Sequence, residues 1–215
     1  MAKTRVTTPK GELNWVFING EGSYNELAEK YEYKATLTMP IDDHEAQAFK
    51  QKLDELWENS QEKAQYEKAF AEAKPAMQAK FEIHPGYVID EDDHGNPTGT
   101  ISFRFKTNTE FETKKGVKQA KIDVYNAQAK KVDLGDTKIG NGSIGRISGT
   151  AMTWYRAQAG GVSLYLSSIQ VIKLVEYVEN EFTAEEDGDF VSTENNEFTG
   201  VPVEDTDEQS PDVGV

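Results

Sequence analysis

The chain has 215 residues, of which 37% are hydrophobic, and its formal net charge is −15. It contains no cysteine, which excludes disulfides, thiolate metal sites and a cysteine nucleophile. It also lacks both the apolar run of a membrane-spanning helix and the apolar core of a signal peptide, so we expect a soluble, cytoplasmic protein with no membrane contact.

The charge is distributed unevenly along the chain. Residues 1–97 carry 11 basic and 19 acidic groups, whereas residues 98–175 carry 12 basic and 5 acidic groups. The stretch from residue 176 to the end holds fourteen acidic residues and no basic one. The negative net charge therefore belongs to the tail and the N-terminal half, and it does not exclude a polyanionic ligand for the basic half.

Two strands and a helical segment are predicted for the first eighty residues. Residues 13–18 form a short apolar run, and residues 31–39 (YEYKATLTM) alternate in character as a half-buried strand does. Asp42 followed by Glu45 predicts a helix N-cap. Apolar residues then recur at helical spacing at Phe49, Leu53, Leu56 and Trp57. We expect one long helix, or two, between about residues 43 and 80.

Strands dominate the rest of the domain. They are predicted for residues 87–90, 99–107, 119–125, 146–156 and 161–177. A mainly β (α+β) chain with five or six strands and one long helix inserted after the second strand predicts a five-stranded OB-type barrel. No apolar periodicity survives beyond residue 178. We therefore expect an OB-fold domain of residues 1–178 and a disordered acidic tail of residues 179–215.

Motifs that often mark metal or nucleotide sites fail on their context. DEDDHG resembles the start of a calcium loop, but His94 and Ile101 stand where that loop requires Asp or Asn and then Glu. GNGSIG (residues 140–145) matches a dinucleotide-binding pattern, but β-branched residues follow it and no acid occurs before Glu176. The three histidines have no metal-ligand spacing. We therefore expect no cofactor, no metal and no enzymatic activity.

The basic half places cations and flat rings on strand faces opposite the apolar ones. Flat rings that stack on bases, beside cations that hold phosphates, are what a single-stranded nucleic acid requires of a protein surface. The predicted phosphate contacts are Arg104, Lys106, Lys121, Arg146 and Arg156. The predicted stacking residues are Trp154 and Tyr125, with Tyr155, Tyr165 and Phe103 as further candidates. Phe103 shares its face with Ile101 and Phe105, so a core position is the alternative for it.

Two further segments complete the pattern. Lys114, Lys115 and Lys118 form a basic loop beside the predicted strands. The acidic tail is expected to compete with nucleic acid for the basic surface at a high effective concentration. Its aromatic residues Phe182, Phe190 and Phe198 are candidate anchors for partner proteins. The alternative is a tail that only adds solubility.

The order of elements resembles that of the single-stranded DNA-binding proteins of tailed bacteriophages. The resemblance rests on YEYKATLTMP, DDHGNPTGTISFRFK, IGNGS and GVSLYLSSIQVIKLVEY. It implies cooperation with a phage DNA polymerase and helicase–primase, strand annealing, and a homodimer with exchanged tails. It also implies DNA contacts at Trp154, Tyr155 and Arg156. The family's tail ends in an aromatic residue after acids, whereas here EEDGDF ends at Phe190 and the chain continues to Val215.

The sequence thus predicts a non-catalytic protein that coats single-stranded DNA during phage replication or recombination, with little sequence preference. Two alternatives of other kinds remain open. One is an acidic interaction module or DNA mimic that binds a basic partner, and the other is an RNA-binding OB protein.

Overall fold

The structure is a computed structural model that describes residues 3–26, 28–113 and 116–177. In chain order its elements are β1 (Lys3–Thr7), β2 (Gly11–Phe17), β3 (Ser23–Asn25), β4 (Lys30–Pro40), α1 (His44–Glu58), α2 (Gln61–Glu72), α3 (Pro75–Gln78), β5 (Glu82–His84), β6 (Tyr87–Glu91), β7 (Pro97–Asn108), β8 (Glu110–Thr113), β9 (Gly116–Gln119), β10 (Asp123–Tyr125), β11 (Lys131–Val132), β12 (Ser143–Arg156) and β13 (Ala159–Lys173). They belong to one structural unit that ends at Tyr177. The predicted acidic tail lies outside the described residues.

Five of these strands close into a barrel. β2 pairs with β4, β4 with β7, β7 with β13, β13 with β12, and β12 returns to β2. The helices lie between β4 and β7, after the second barrel strand. The predicted OB-type barrel and the site of its helical insertion are therefore confirmed.

Alternation along the long strands decides which side chains fill the barrel. In β12 the residues that face inward are small or branched, namely Gly145, Ile147, Gly149, Ala151 and Thr153. Larger fully buried residues from β4 and β7 fill the remaining space, namely Leu37, Ile101, Phe103 and Phe105. Bulky residues on one side of the barrel and small ones on the other allow the two walls to interlock at the density of a protein interior.

The helical segment closes the barrel interior. Phe49 of α1 packs edge-on against Phe103, with ring centroids 4.9 Å apart. Trp57 packs edge-on against Tyr66 of α2 at 5.9 Å. The outward faces of the barrel strands are consequently left for other contacts.

The helical segment is divided more than the sequence predicted. Ser60 ends the continuity of α1 and caps α2, because its Oγ accepts a hydrogen bond of 3.0 Å from the backbone N–H of Lys63. Pro75 then begins the short α3. The N-cap of α1 is Asp43 rather than Asp42, since the Asp43 carboxylate accepts hydrogen bonds from the N–H groups of the next turn.

Two strand predictions also need correction, and one strand was not predicted. The strand predicted at residues 119–125 is divided, because β9 ends at Gln119 and β10 begins only at Asp123. The last strand ends at Lys173, and the following segment is joined to the loop before β12 by a bridge between Glu176 and Ile139. β1 was not predicted. It adds to the barrel by pairing with residues 148–152 in the middle of β12.

Two motifs, GNGSIG and DEDDHG, were interpreted from the sequence as turns rather than as nucleotide or calcium sites. GNGSIG forms a turn that leads into β12, as predicted, and no helix follows it. DEDDHG lies in the turn between β6 and β7, where the Asp92 carboxylate accepts hydrogen bonds from the N–H groups of His94 and Asn96. None of the helices in the described ranges is long and apolar enough to span a membrane.

Candidate nucleic-acid interface

One row of outward side chains crosses five neighbouring strands at right angles to their direction. In register from β4 through β7, β13 and β12 to β1, it runs through Lys34, Lys106, Tyr165, Thr150 and Arg5. We call these five residues the transverse row. Neighbouring strands lie about 4.8 Å apart, so the row is about 19 Å long. It combines three cations with the ring of Tyr165, which is 39% exposed.

A second row lies farther along β12 and β13 and extends onto β10 and β11. Tyr125 of β10 is in register with Lys131 of β11 on one side and with Gln170 of β13 on the other. Gln170 in turn pairs with Arg146 of β12. We call these four residues the second row. Arg146 precedes Thr150 by four residues, which places the two rows about 13 Å apart along the strand.

The charges of both rows are modulated by nearby carboxylates. The Lys106 ammonium lies 3.2 Å from the carboxylate of Glu32, which is itself buried. In the second row the hydrogen bond from Lys131 to Asp123, with a 2.6 Å ion pair, raises the pKa of Lys131. Lys34 instead places its ammonium 4.9 Å from the centroid of the Phe17 ring. Among the residues described, each row therefore has more positive side chains than neighbouring carboxylates.

Five predicted contact residues belong to these rows or lie beside them. Lys106 and Tyr165 are in the transverse row, and Tyr125 and Arg146 are in the second row. Arg104 is exposed on the same face of β7 as Lys106, two residues away, and it pairs with Thr36. The alternation of β7, β10, β12 and β13 thus places these five side chains on the outer surface of the sheet.

Trp154 and Arg156 lie at the opposite end of β12 from Arg146. They share its face, but eight residues of extended chain place Trp154 about 26 Å from Arg146. The Trp154 indole is half-buried and stacks on the His84 ring, with centroids 5.8 Å apart and planes 18° apart. Its Nε1 is buried without a hydrogen-bond partner among the described atoms. One ring face of Trp154 is thus already occupied.

Phe103 and Tyr155 lie on the inner side of the barrel. Phe103 is fully buried between the rings of Phe49 and Tyr87. Tyr155 is half-buried and packs edge-on against Tyr66 at 6.0 Å. The prediction that Phe103 stacks on a base is therefore corrected: it is a core residue, because its parity in β7 points it inward. Tyr155 shares the inward parity of β12.

The remaining predicted residues belong to neither row, and some of them lie outside the residues that the structure describes. Lys121 is exposed before β10 and lines a cavity of about 490 Å³ with Lys131 and Asp123. Lys118 is exposed on β9. Lys114, Lys115 and the tail residues Phe182, Phe190 and Phe198 lie outside the described residues.

Four further residues of this surface were not predicted from the sequence, and three of them, Arg5, Phe17 and Trp15, are exposed. Arg5 and Lys34 belong to the transverse row, and Phe17 pairs with Lys34. Trp15 is 62% exposed, and its backbone has a φ of 53° at an irregularity in the pairing of β2. The backbone N–H of Trp15 donates a 2.8 Å hydrogen bond to Oδ1 of Asn141. The period-two alternation of residues 3–8 places Arg5 on the exposed face of a strand, but it does not indicate which strand β1 pairs with.

No group of three or more His, Cys, Asp or Glu residues within the described ranges has the arrangement of a metal site. A closed five-stranded barrel with exposed rings and cations on its outer face is how OB-fold proteins bind single-stranded nucleic acids. The fold and the outer surface have the features of this class of protein.

The family model described as "Single-stranded DNA-binding protein, Bacteriophage T7" matches residues 15–174. The chain belongs to this family, which confirms the resemblance seen in the sequence. Because the family is a class of DNA-binding proteins without catalytic activity, the prediction that the chain is not an enzyme is also confirmed.

Two solved structures show the same fold. The crystal structure of gp2.5, a single-stranded DNA-binding protein of bacteriophage T7, is 22% identical to this chain with a TM-score of 0.57, covering 89% of this chain and 100% of that one. The single-stranded DNA-binding protein of bacteriophage Enc34 in complex with single-stranded DNA is 15% identical with a TM-score of 0.51, covering 79% of this chain and 86% of that one. No curated protein matches the chain.

Proposed function

We propose that the protein binds single-stranded DNA on the outer face of the barrel, with little sequence preference. The observation that carries the proposal is the register that aligns Lys34, Lys106 and Arg5 with Tyr165 across five strands. Family membership and the names of the two similar structures support single-stranded DNA as the ligand.

The geometry suggests how each row contributes. Tyr165 lies between Lys106 and Thr150 in register, so a base stacked on its ring has a cation beside it for the adjoining phosphate. Tyr125 and Arg146 repeat this combination in the second row. Every base offers a flat face and every nucleotide a phosphate, so such contacts do not depend on sequence. Trp15 is a further stacking residue, because its ring is exposed. Its backbone also has a positive φ, and strained backbone positions cluster at ligand sites.

Membership of the family supports the biological role that we propose. The protein acts in phage DNA replication or recombination in the cytoplasm of the host cell. Its acidic tail, residues 179–215, restrains DNA binding and docks replication proteins such as the polymerase and the helicase–primase through Phe182, Phe190 and Phe198. A homodimer is the proposed assembly.

A salt titration tests the DNA-binding surface. For single strands, the logarithm of affinity falls with the logarithm of salt concentration by about 0.7 per phosphate contact. We expect Lys106→Ala and Arg5→Ala each to reduce this slope by about that amount when oligo-dT binding is followed by tryptophan fluorescence. Lys68→Ala on α2 is the matched control and should leave the slope unchanged. Equal slopes for all three variants would place the phosphate contacts elsewhere.

The same titration separates the alternatives. A matched oligo-U that binds more tightly than oligo-dT would identify an RNA-binding protein. Absence of binding to either strand, in fluorescence and in a gel shift, would contradict the proposed function altogether.

The role of the tail has its own test. In a full-length variant whose acids beyond residue 178 are all changed to Gln or Asn, we expect oligo-dT to bind more tightly, because the tethered competitor has lost its charge. The increase should shrink as salt rises. A control tail of scrambled sequence keeps the acids and should retain the wild-type affinity. Weaker DNA binding by the neutral tail would show that the tail supports the complex rather than restraining it.

A further inference from the structure

A groove of about 840 Å³ lies at one end of the barrel, where β4 begins and β7 ends. The β8–β9 hairpin forms one wall, and the segments on either side of β3 form the other. We call it the acidic groove and define it by six of its lining residues: Glu21, Glu29, Tyr31, Glu110, Phe111 and Glu112. None of them belongs to the transverse row or the second row.

The charge of the acidic groove is opposite to that of the two rows. Four carboxylates line it, and Lys30 is the single cation among the described lining residues. Tyr31 precedes Lys34 by only three residues, about 10 Å of extended chain. The first residues of β4 therefore connect the acidic groove with the transverse row, two surfaces of opposite charge. A phosphate backbone held on the transverse row is repelled where the acidic groove begins.

Exposed rings accompany these carboxylates. Tyr31 is 42% exposed and Phe111 is 48% exposed, and Val117 beside them is 63% exposed. Tyr24 lies against Tyr31, with ring centroids 5.2 Å apart. Rings flanked by carboxylates suit an arginine or lysine side chain, because the ring face attracts the cation and the carboxylate pairs with it.

The walls of the groove are fixed by backbone contacts. The N–H of Thr109 donates a 3.1 Å hydrogen bond to the carbonyl of Tyr31, and the N–H of Ala120 donates a 2.7 Å bond to the carbonyl of Thr109. On the other wall Gly22 has a φ of +79°, and a Cβ there would lie 2.8 Å from the carbonyl oxygen of Glu32. A groove built this way loses little entropy when it takes up a ligand.

We propose that the acidic groove docks a basic, arginine- or lysine-bearing segment of a partner protein. This inference goes beyond DNA binding and does not depend on it. Charge complementarity selects the occupant: the tail of this chain carries no basic residue and DNA is a polyanion, so both are repelled by the four carboxylates. A DNA-bound copy of the protein can thus hold a basic partner beside the strand.

The test uses the full-length protein and a synthetic peptide of alternating arginine and leucine that carries a benzophenone cross-linker. Because the acidic tail also attracts such a peptide, the position of the cross-link is the decisive readout. We expect cross-links within residues 21–31 and 110–117, mapped by mass spectrometry. The same peptide with glutamate in place of arginine should give none.

Matched variants measure the contribution of the groove. Glu110→Gln with Glu112→Gln should weaken peptide binding about three- to tenfold and reduce the cross-links, since exposed ion pairs are modest individually. Phe111→Ala should weaken it by a similar factor. Glu91→Gln with Asp93→Asn, in the β6–β7 turn, removes the same charge elsewhere and should leave the groove cross-links unchanged.

Three results would overturn the proposal. The first is cross-linking only to residues beyond 177. The second is equal loss of groove cross-links in the groove variant and the turn variant. The third is cross-linking of the groove by an oligo-dT that contains 5-iodouracil, which would make the groove part of the DNA path. Oligo-dT affinity, measured in parallel on each variant, reports on the proposed function separately.

Discussion

Replacing Tyr165 with alanine should weaken binding to oligo-dT by about 5- to 150-fold, because loss of one aromatic stacking partner costs about 1–3 kcal/mol. Tyr165 is the only ring of the transverse row, with Lys106 on one side and Thr150 on the other. The affinity is measured by fluorescence titration at a fixed salt concentration. The salt dependence should change little, because no charge is removed.

Two variants give this result its meaning. Tyr165→Phe keeps the flat ring and should retain most of the affinity. Phe70→Ala on α2 removes a ring of similar exposure, 41% against 39%, from outside the transverse row and should not affect DNA binding. If Tyr165→Ala binds as tightly as Phe70→Ala, the transverse row is not a stacking surface and the DNA path must lie elsewhere.

Gly149→Ala should reduce the free energy of unfolding by about 3 kcal/mol or more, the range of severe core overpacking. A Cβ at this position would lie 2.0 Å from the carbonyl oxygen of Tyr165 and 3.0 Å from the ring of Phe105. β12 and β13 would have to separate at Gly149, in the middle of the long pairing that forms one wall of the barrel. Urea unfolding followed by circular dichroism measures the loss.

Gly95→Ala is the control for this prediction. Gly95 lies in the β6–β7 turn with a φ of +77°, and no atom lies within 4 Å of its added Cβ. Only backbone strain opposes alanine there, so its cost should be about 1 kcal/mol. If the two variants unfold at the same urea concentration, the contact between Gly149 and Tyr165 does not limit barrel closure.

Both predictions concern the pairing of β12 with β13, and β12 is the strand whose pattern the sequence showed most clearly. Its alternation put Arg146, Thr150 and Trp154 on one face, and the structure places those side chains outward. The same rule assigned Arg104 and Lys106 to the outer face of β7 and left Phe103 open between two roles. Its complete burial decides for the core.

Other features were not accessible from local pattern. The helical segment was recognised from its apolar spacing, but the break at Ser60 depends on a cap hydrogen bond that the spacing does not show. β1 is short and polar at its N-terminus, so nothing in residues 3–7 alone indicates that they pair with the middle of β12. Arg5 was missed for that reason.

The class of fold, the parity of the long strands and the separation of a basic half from an acidic tail could all be predicted from the amino-acid sequence. These depend on the period-two alternation of side chains and on composition, which are local properties of the chain. Which strands are neighbours could not be predicted in this way and became known from the folded structure. The transverse row joins residues as far apart as Arg5 and Tyr165. Such a row exists only after the strands have paired into the barrel, because cross-strand register is set by long-range packing inside the barrel.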